Sequence, residues 1–393
     1  MNPASTPVLQ DLRVLELGQV LAGPFAGAIL SDLGAEVIKL ERVDGGDDAR
    51  RMGAAFTGGD ALVFQVFNRG KQSVALDLKT AAGRTALEAL AQEADIFIHN
   101  LRPGVAAALG IDGPALTARH PRLIYCEISA FGATGPMALH PGYEPMIQAF
   151  SGLSAINGGP DDPPMRSGAS ICDQGTGMWA VIGALALLQR RQLTGRGGVV
   201  STSLLETAMA WNGQKADALL NEGRQPDRHR SGHPGFVPYE GFEASDAPLL
   251  ICCGNDRLFA KLAQALGHPG WASDERFATN RARLAHKAEL LAQLVPLLRK
   301  RPRGEWLALL EAAGVPCAPI HSLPEAVAHP QVQALGILQP VPVGAGERPF
   351  QLTALPMSID GVRPAHRGAA PALGAHNAQH GLPPVAPPDG TRP

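Results

Sequence analysis

Short apolar runs alternate with stretches of helical spacing through the first half of the chain. Arg13-Val14-Leu15-Glu16-Leu17 reads as a strand, 18–23 as a loop, and Pro24 as the first position of a helix over 25–33. Gly34 ends that helix and 36–41 is the next strand, so the two strands are expected to run parallel. The helix start offers free backbone N–H groups to the loop before it, a seat for a phosphate or carboxylate. An apolar stretch, 64–67, leads to a turn at 68–71. Alternation at period two predicts a strand over 73–78, Thr80 caps a helix over 81–92, and 95–100 is a further strand. Arg102-Pro103-Gly104 breaks the pattern before a short helix to Leu109, a strand over 123–129 and a loop at 131–136. This order predicts an α/β fold with a doubly wound sheet, whose ligands bind beyond the carboxyl ends of the strands. Residues 18–22, Arg42, 100–102 and 131–135 occupy those ends.

Gly142-Tyr143-Glu144 precedes another helical stretch, and a small-residue loop at 165–172 leads into a long apolar helix over 179–188. A strand over 199–203 and a helix over 204–222 follow. The composition then turns rich in His, Arg, Gly and Pro over 224–238. Beyond it come a strand at 248–253, a helix over 257–266 capped from Asn255-Asp256, and helices near 283–299 and 304–313. The expected organisation is a large domain over 1–223, a linker over 224–236, a small α+β domain over 237–325, and a return to the large domain over 326–393. The tail from Gly368 is rich in Ala, Pro and Gly and is expected to lie extended over a neighbour or to be disordered.

Composition narrows the function. Hydrophobic residues make up 45% and charged residues 18% of the 393, which fits a well-buried globular protein. A net charge of −2 gives no basic excess for nucleic acid, and no apolar run is expected to span a membrane. The five cysteines form no CxxC pair, so no metal site is expected. Reduced thiols and a polar N-terminus without a secretory leader suggest a cytoplasmic protein. The glycines Gly18, Gly23 and Gly27 do not make a GxGxxG fingerprint, and no P-loop is present.

The candidate chemistry lies at Asp173, where the small-residue loop meets the long helix. An Asp before a helix commonly caps it. The same carboxylate, held ionised by the helix N-terminus, can act as a nucleophile that forms a covalent acyl intermediate. Gly175 and Gly177 leave room for another molecule to approach.

Five blocks occur in one order: Val14-Leu15-Glu16-Leu17 with Leu21-Ala22-Gly23-Pro24, then 34–41, then Leu76-Asp77-Leu78-Lys79, then Asn100-Leu101-Arg102-Pro103-Gly104, then 168–177. Together they resemble the family III CoA-transferases, the group of formyl-CoA:oxalate and carnitine CoA-transferases. The resemblance runs from about Leu12 to about Gly336. It implies a large Rossmann-like domain and a smaller one, a chain that leaves the large domain and returns, and an interlocked homodimer. The family's nucleophilic aspartate falls on Asp173. Its contacts with coenzyme A fall on Leu21, Ala22, Arg42, Leu76, Asp77, Leu78, Lys79, Asn100, Leu101, Arg102, Pro141, Gly142, Tyr143 and Glu144. Arg42 suits the adenine or a phosphate, and Lys79 a phosphate as a point charge. Tyr143 and Glu144 would stand near Asp173 and the acyl group. Coenzyme A is then a substrate, with no bound cofactor, and a small carboxylate is the acceptor.

The implied activity is transfer of CoA from an acyl-CoA to a carboxylic acid through an acyl-aspartyl anhydride and an aspartyl-CoA thioester. Backbone N–H groups around Gly175 and the helix start would stabilise the oxyanions. The superfamily also holds α-methylacyl-CoA racemases, whose Gly-His-Asp segment corresponds to Gly142-Tyr143-Glu144 here. Tyr is a poor general base at neutral pH, so transfer is preferred. A nucleotide-binding module without chemistry is the third reading. Two departures stand out. Several relatives carry a CoA-contacting arginine where this chain has Ala108, and the Gly-rich flap of some relatives has only 232–235 as a counterpart. Arg166, Arg228 and Arg230 are candidate partners for a dicarboxylate.

Overall fold

The computed structural model describes residues 7–343 and 349–385. The chain forms two compact units: 1–153 with 166–216 and 334–393, and 154–165 with 217–333. In chain order the elements are β1 (Arg13–Leu17), α1 (Ala22–Asp32), β2 (Glu36–Glu41), a small hairpin of β3 (Ala55–Thr57) and β4 (Asp60–Ala61), α2 (Leu62–Asn68), β5 (Gln72–Ala75) and α3 (Ala81–Gln92). They continue with β6 (Ile96–His99), α4 (Val105–Ala108), α5 (Gly113–Arg119), β7 (Ile124–Ser129), α6 (Glu144–Phe150), α7 (Leu153–Ile156), α8 (Ile171–Thr194), β8 (Gly198–Ser203), α9 (Leu204–Trp211) and α10 (Gly213–Glu222).

Six strands of the first unit form one parallel sheet in the order β5-β2-β1-β6-β7-β8. The chain winds outward from β1 to one edge, then returns to β6 and winds to the other, so the strand order reverses between β1 and β6. That reversal opens a crevice beyond their carboxyl ends. Strands β1, β2, β5, β6 and β7 are buried on both faces, which explains their nearly unbroken apolar runs, whereas the edge strand β8 leaves Val199 exposed. Leu15, Ile38, Val74 and Phe97 pack on one face against Leu87 and Leu90 of α3.

Several expected elements differ in extent. Helix α1 begins two residues before Pro24, because Leu21 already accepts a bond from Phe25 N at 2.7 Å. Strand β5 ends at Ala75, so Leu76, Asp77 and Leu78 form a loop rather than the end of a strand. The helix expected over 204–222 is broken between α9 and α10, where Asn212 Nδ2 donates to Ser151 O at 3.0 Å. Helix α5, capped by Asp112, was not expected; it lies between the helix to Leu109 and the strand over 123–129.

The tail departs most. Up to residue 385 it is ordered and covers the open edge of β5 in its own sheet. His376 N donates to Ser73 O (3.0 Å), Ser73 N donates to His376 Nδ1 (3.1 Å) and Ala75 N donates to Asn377 Oδ1 (2.9 Å). An edge strand exposes unpaired N–H and C=O groups, and this segment satisfies them. Residues 386–393 lie outside the described part.

One expectation about membranes is also corrected. Helix α8 is long and apolar enough to cross a bilayer by length and composition. In the structure one face packs against α1, β7, β8 and α9, with Ala180, Val181 and Ala184 buried.

The second unit has its own core. A three-stranded antiparallel sheet of β9 (Tyr239–Glu243), β10 (Pro248–Cys252) and β11 (Cys317–Pro319) packs with α11 (Asp256–Ala265), α12 (Asn280–Ala285), α13 (Lys287–Leu298) and α14 (Arg303–Ala312) around Phe259, Leu290, Leu294 and Trp306. The single helix expected near 283–299 is two, α12 and α13. The 232–235 segment is tied down: Gly232 N donates to His229 O and His233 N to Tyr239 O.

Candidate active site

Charge pairs buried under the crevice hold its floor. Glu16, in the middle of β1, binds Lys39 Nζ at 3.1 Å and also Lys71 Nζ. Lys39 reaches the carbonyl of Gly18 (3.0 Å) and Asp47 Oδ2 (2.9 Å). Lys71 donates to Pro24 O (2.8 Å) and Asn68 Oδ1 (2.9 Å). Burial alone would lower Lys39, but the charges of Glu16 and Asp47 outweigh it and hold the ammonium protonated. Burial brings Lys71 down to about 8 against the pull of Glu16. A third pair lies beside them, with Glu41 gripping Arg50 through two bonds of 2.7 and 2.8 Å.

This knot shapes the loop after β1. Val20 adopts φ +64, a costly conformation for a β-branched residue. Its N–H is held there by Asp47 Oδ1 at 3.0 Å. Gln19 and Asn100 exchange two bonds of 2.8 Å, joining the loops after β1 and β6 across the crevice. Below Asn100, His99 bonds Tyr125 Oη through Nε2 (2.5 Å) and accepts Leu101 N at Nδ1 (3.2 Å). Burial pushes the imidazole down to about 4, so it is neutral at pH 7.

Asp173 lies in the first turn of α8, two residues past its start, while Ser170 takes the cap position. The capping reading therefore fails: no hydrogen bond or ion pair involves its carboxylate among the described residues. The N–H groups of Ile171 and Gln174 are used by Ala169 O and Ser170 O, whereas those of Cys172 and Asp173 are not bonded among the described residues. Asp173 is half-buried. Burial, and behind it the charge of Glu144, push its carboxyl up to about 7. The sequence expectation of a fully ionised group at neutral pH is thereby corrected, because the helix terminus is outweighed by desolvation and a neighbouring acid.

Glu144 opens α6 and is 4% exposed. Its Oε1 accepts Gln148 Nε2 at 2.5 Å, and its Oε2 is buried with no hydrogen-bond partner among the described residues. Gln148 Oε1 in turn accepts Ser167 N at 2.8 Å, tying α6 to the loop that leads into α8. Cys172 stays a protonated thiol: burial, then Glu144 and Asp173, push it up to about 12.

The glycines after Asp173 do not make room for a ligand. A Cβ on Gly175 would stand 2.7 Å from Thr207 Cγ2, and one on Gly177 2.7 Å from Ala22 O. They let α8 press against α9 and α1. The contact at Gly177 has a consequence. Asp173 and Gly177 are four residues apart and share a helix face, so the carboxylate lies on the side of α8 that meets the start of α1.

The expected contact residues fall into four groups. Leu21 and Ala22 start α1, and Asn100, Leu101 and Arg102 follow β6, so both sets flank the crevice. Arg42 follows β2 and is partly engaged, pairing with Asp48 at 2.7 Å and donating to Gly46 O at 3.0 Å. Leu76, Asp77, Leu78 and Lys79 follow β5; Lys79 is exposed and has no ion pair among the described residues. Pro141, Gly142, Tyr143 and Glu144 lead into α6, with Tyr143 68% exposed and Glu144 buried. A cavity of about 440 Å³ opens beside Leu76 and Asp77, and Asp173 is not in its lining. The sequence missed Gln148 and the Glu16–Lys39–Lys71–Asp47 knot. The one signal was a Glu and a Lys inside strands otherwise apolar.

The model of CoA-transferase family III matches residues 9–377. The chain belongs to that family. A succinate–glutarate CoA-transferase of Agrobacterium fabrum is 38% identical over 384 residues, covering 96% of this chain and 96% of the relative. An acetyl-CoA:oxalate CoA-transferase of Acetobacter aceti is 39% identical over 328 residues, covering 83% and 84%. The crystal structure of a CaiB/BaiF family protein from Brucella suis superposes with a TM-score of 0.85 at 37% identity, covering 95% of this chain and 98% of that one. The family III chain is thus an enzyme that uses CoA thioesters as substrates. Ala108, where several relatives are expected to carry arginine, is exposed on α4. Arg166 is also exposed, whereas Arg228 and Arg230 are held by the 158–162 segment within the second unit.

Proposed function

We propose that this family III enzyme moves CoA between small dicarboxylic acids, with Asp173 as the nucleophile. The dicarboxylate class is carried over from the acids that name its relatives, succinate, glutarate and oxalate. One observation carries the mechanism: a carboxylate in the first turn of α8 with no internal partner, beside unbonded N–H groups and a buried acid. A carboxylate poised near neutrality and poorly solvated is a better nucleophile than one in water.

An Asp173 oxygen attacks the thioester carbonyl of the donor, and the C–S bond breaks to give an acyl-aspartyl anhydride and CoA thiolate. The thiolate attacks the aspartyl carbonyl of the anhydride, releasing the first acid and leaving an aspartyl-CoA thioester. The acceptor carboxylate attacks that thioester, expelling the thiolate and forming a second anhydride. The thiolate then takes the acceptor's acyl group, and Asp173 is free again. No proton is gained or lost over the cycle. The amides of Cys172 and Asp173 are the donors that suit the transient oxyanions, and Tyr143 and Glu144 flank the acyl group. The CoA chain would run past Leu21, Ala22 and the Asn100–Gln19 bridge toward Arg42 and the loop Leu76, Asp77, Leu78, Lys79.

A second copy of the chain suits the apolar residues left open on this unit. Met178, Trp179 and Ile182 of α8, Met209 and Trp211 of α9, and Met146 and Phe150 of α6 are all exposed, and such apolar residues suit burial against a second copy. Sedimentation at low concentration tests the homodimer. A panel of acyl-CoA donors against mono- and dicarboxylate acceptors tests the activity: CoA transfer to dicarboxylates supports the reading. Exchange of α-hydrogen without any acceptor would instead mark a racemase.

A further inference from the structure

Gln148 is a fully buried amide beside two acids, and the reaction written above gives it no part. It lies one turn after Glu144 on the same face of α6. Both ends of its amide are engaged. Ser167 N donates to Gln148 Oε1 at 2.8 Å, and Gln148 Nε2 donates to Glu144 Oε1 at 2.5 Å. A backbone N–H can only donate, so the amide oxygen must face Ser167 and the NH2 group must face Glu144. The amide is thereby fixed against turning over. An N–H aimed at Glu144 Oε1 keeps that oxygen an acceptor. The other oxygen, Oε2, is buried and has no hydrogen-bond partner among the described residues. It is the oxygen left to take up or share a proton.

The bond to Ser167 has a second effect. Residues 166–170 are mostly exposed. Among the described residues this is the only hydrogen bond that fastens them to an element other than α8. One side chain thus registers the start of α8, which carries Asp173, against the start of α6, which carries Glu144. The elements packed against α8 bear other ionisable groups: Asp32 on α1, Tyr125, Cys126 and Glu127 on β7, and Glu206 on α9. The charge that acts on Asp173 is nevertheless that of Glu144. Cys172, next to Asp173, is a protonated thiol and adds none.

We propose that Gln148 is a positioning residue of the transfer reaction: it holds the Glu144 carboxylate and the loop before α8 in one register, with the free oxygen of Glu144 kept for the Asp173 corner. The proposal rests on the reading of Asp173 as the nucleophile. It assigns Gln148 no contact with substrate; the amide acts through Glu144.

The test is the pH profile of CoA transfer in variants shown by circular dichroism to be folded. Gln148→Met keeps the volume and removes both bonds. The Glu144 charge then loses its donor, Asp173 is relieved of part of that charge, and the rise in rate with pH is expected to move down by about half a unit or more. Gln148→Glu keeps the shape and can still accept Ser167 N, but it adds a third acid, so the rise is expected to move up instead. Gln148→Met combined with Glu144→Gln is expected to show no shift beyond that of Glu144→Gln alone. An amide that only braced the loop would lower the rate at every pH alike and leave the midpoint in place. Midpoints within about 0.2 unit of wild type in both Gln148→Met and Gln148→Glu overturn the proposal. A Gln148→Met shift that persists in full on Glu144→Gln also overturns it. Should Gln148→Met fail to fold, Gln148→Glu decides. Stability gives a readout that needs no turnover: the difference between the chain and its Asp173→Asn form at pH 8 should shrink in the Gln148→Met background. A chain that shows this shrinkage but transfers no CoA would sink the enzyme reading and leave the coupling of Gln148 to Asp173 standing.

Discussion

The floor of the crevice and the corner around Asp173 are both buried and polar, yet their charges are arranged in opposite ways. In the floor every acid meets a cation: Glu16 has Lys39 and Lys71, Asp47 has Lys39, and Glu41 has Arg50. In the corner two acids, Asp173 and Glu144, face each other with no cation among the described residues. Paired charges resist removal and fix backbone, here the strained Val20 loop. Unpaired ones are unstable with respect to protonation or reaction, and such groups concentrate where chemistry is done. The difference separates the part of the site that holds shape from the part that reacts.

The largest expected effect comes from removing the reactive member of the corner. Asp173→Asn should lower CoA transfer by at least about a thousandfold while acyl-CoA binding by calorimetry stays within a few-fold. Next comes the floor. Lys39→Met leaves Glu16 and Asp47 without their shared cation and should destabilise the protein by about 3–5 kcal/mol in denaturant titrations.

The corner should behave in the opposite sense. Its carboxyl titrates near 7 in the folded protein and near 4 when unfolded, so the folded state holds the extra proton between those values. Stability from this group is present at low pH and is lost as pH rises toward 7. Asp173→Asn should therefore be more stable than wild type at pH 8, by about 1–2 kcal/mol after solvent screening, with the gap closing near pH 4. A variant equally stable at both pH values would contradict the unpaired-acid account. The transfer rate should rise with pH through about 7, and Glu144→Gln should move that rise toward the ordinary carboxylate range. The smallest effect is expected at Asn100→Ala, which opens the bridge to Gln19 and should raise KM for acyl-CoA about three- to tenfold with little change in kcat.

Sequence pattern located five of the six parallel strands to within a residue or two, because strands buried in the middle of a sheet are apolar along most of their length, whereas β5 ends three residues before the expected 78. It also placed the Thr80 and Asn255 caps, which depend on local spacing alone. What it could not reach was tertiary. Gly175 and Gly177 looked like space for a ligand, and only helix packing shows that α9 and α1 fill it. The tail lacks apolar periodicity, since it is held mainly by hydrogen bonds from His376 and Asn377 to the backbone of Ser73 and Ala75. Asp173 was legible as a residue, but its titration was not. Burial raises it first, and the acid that adds to the shift arrives from α6; both depend on neighbours invisible to any reading of the helix itself.

The claim on which the account turns is that Asp173 carries the acyl group or CoA during turnover. The enzyme is incubated with an acyl-CoA donor and no acceptor, quenched with hydroxylamine, digested and read by mass spectrometry. A hydroxamate confined to the peptide containing Asp173, dependent on the donor and absent in Asp173→Asn, is the expected result. Donor turnover on an acceptor acid with no modification of Asp173, or with the adduct on another side chain, would contradict the account.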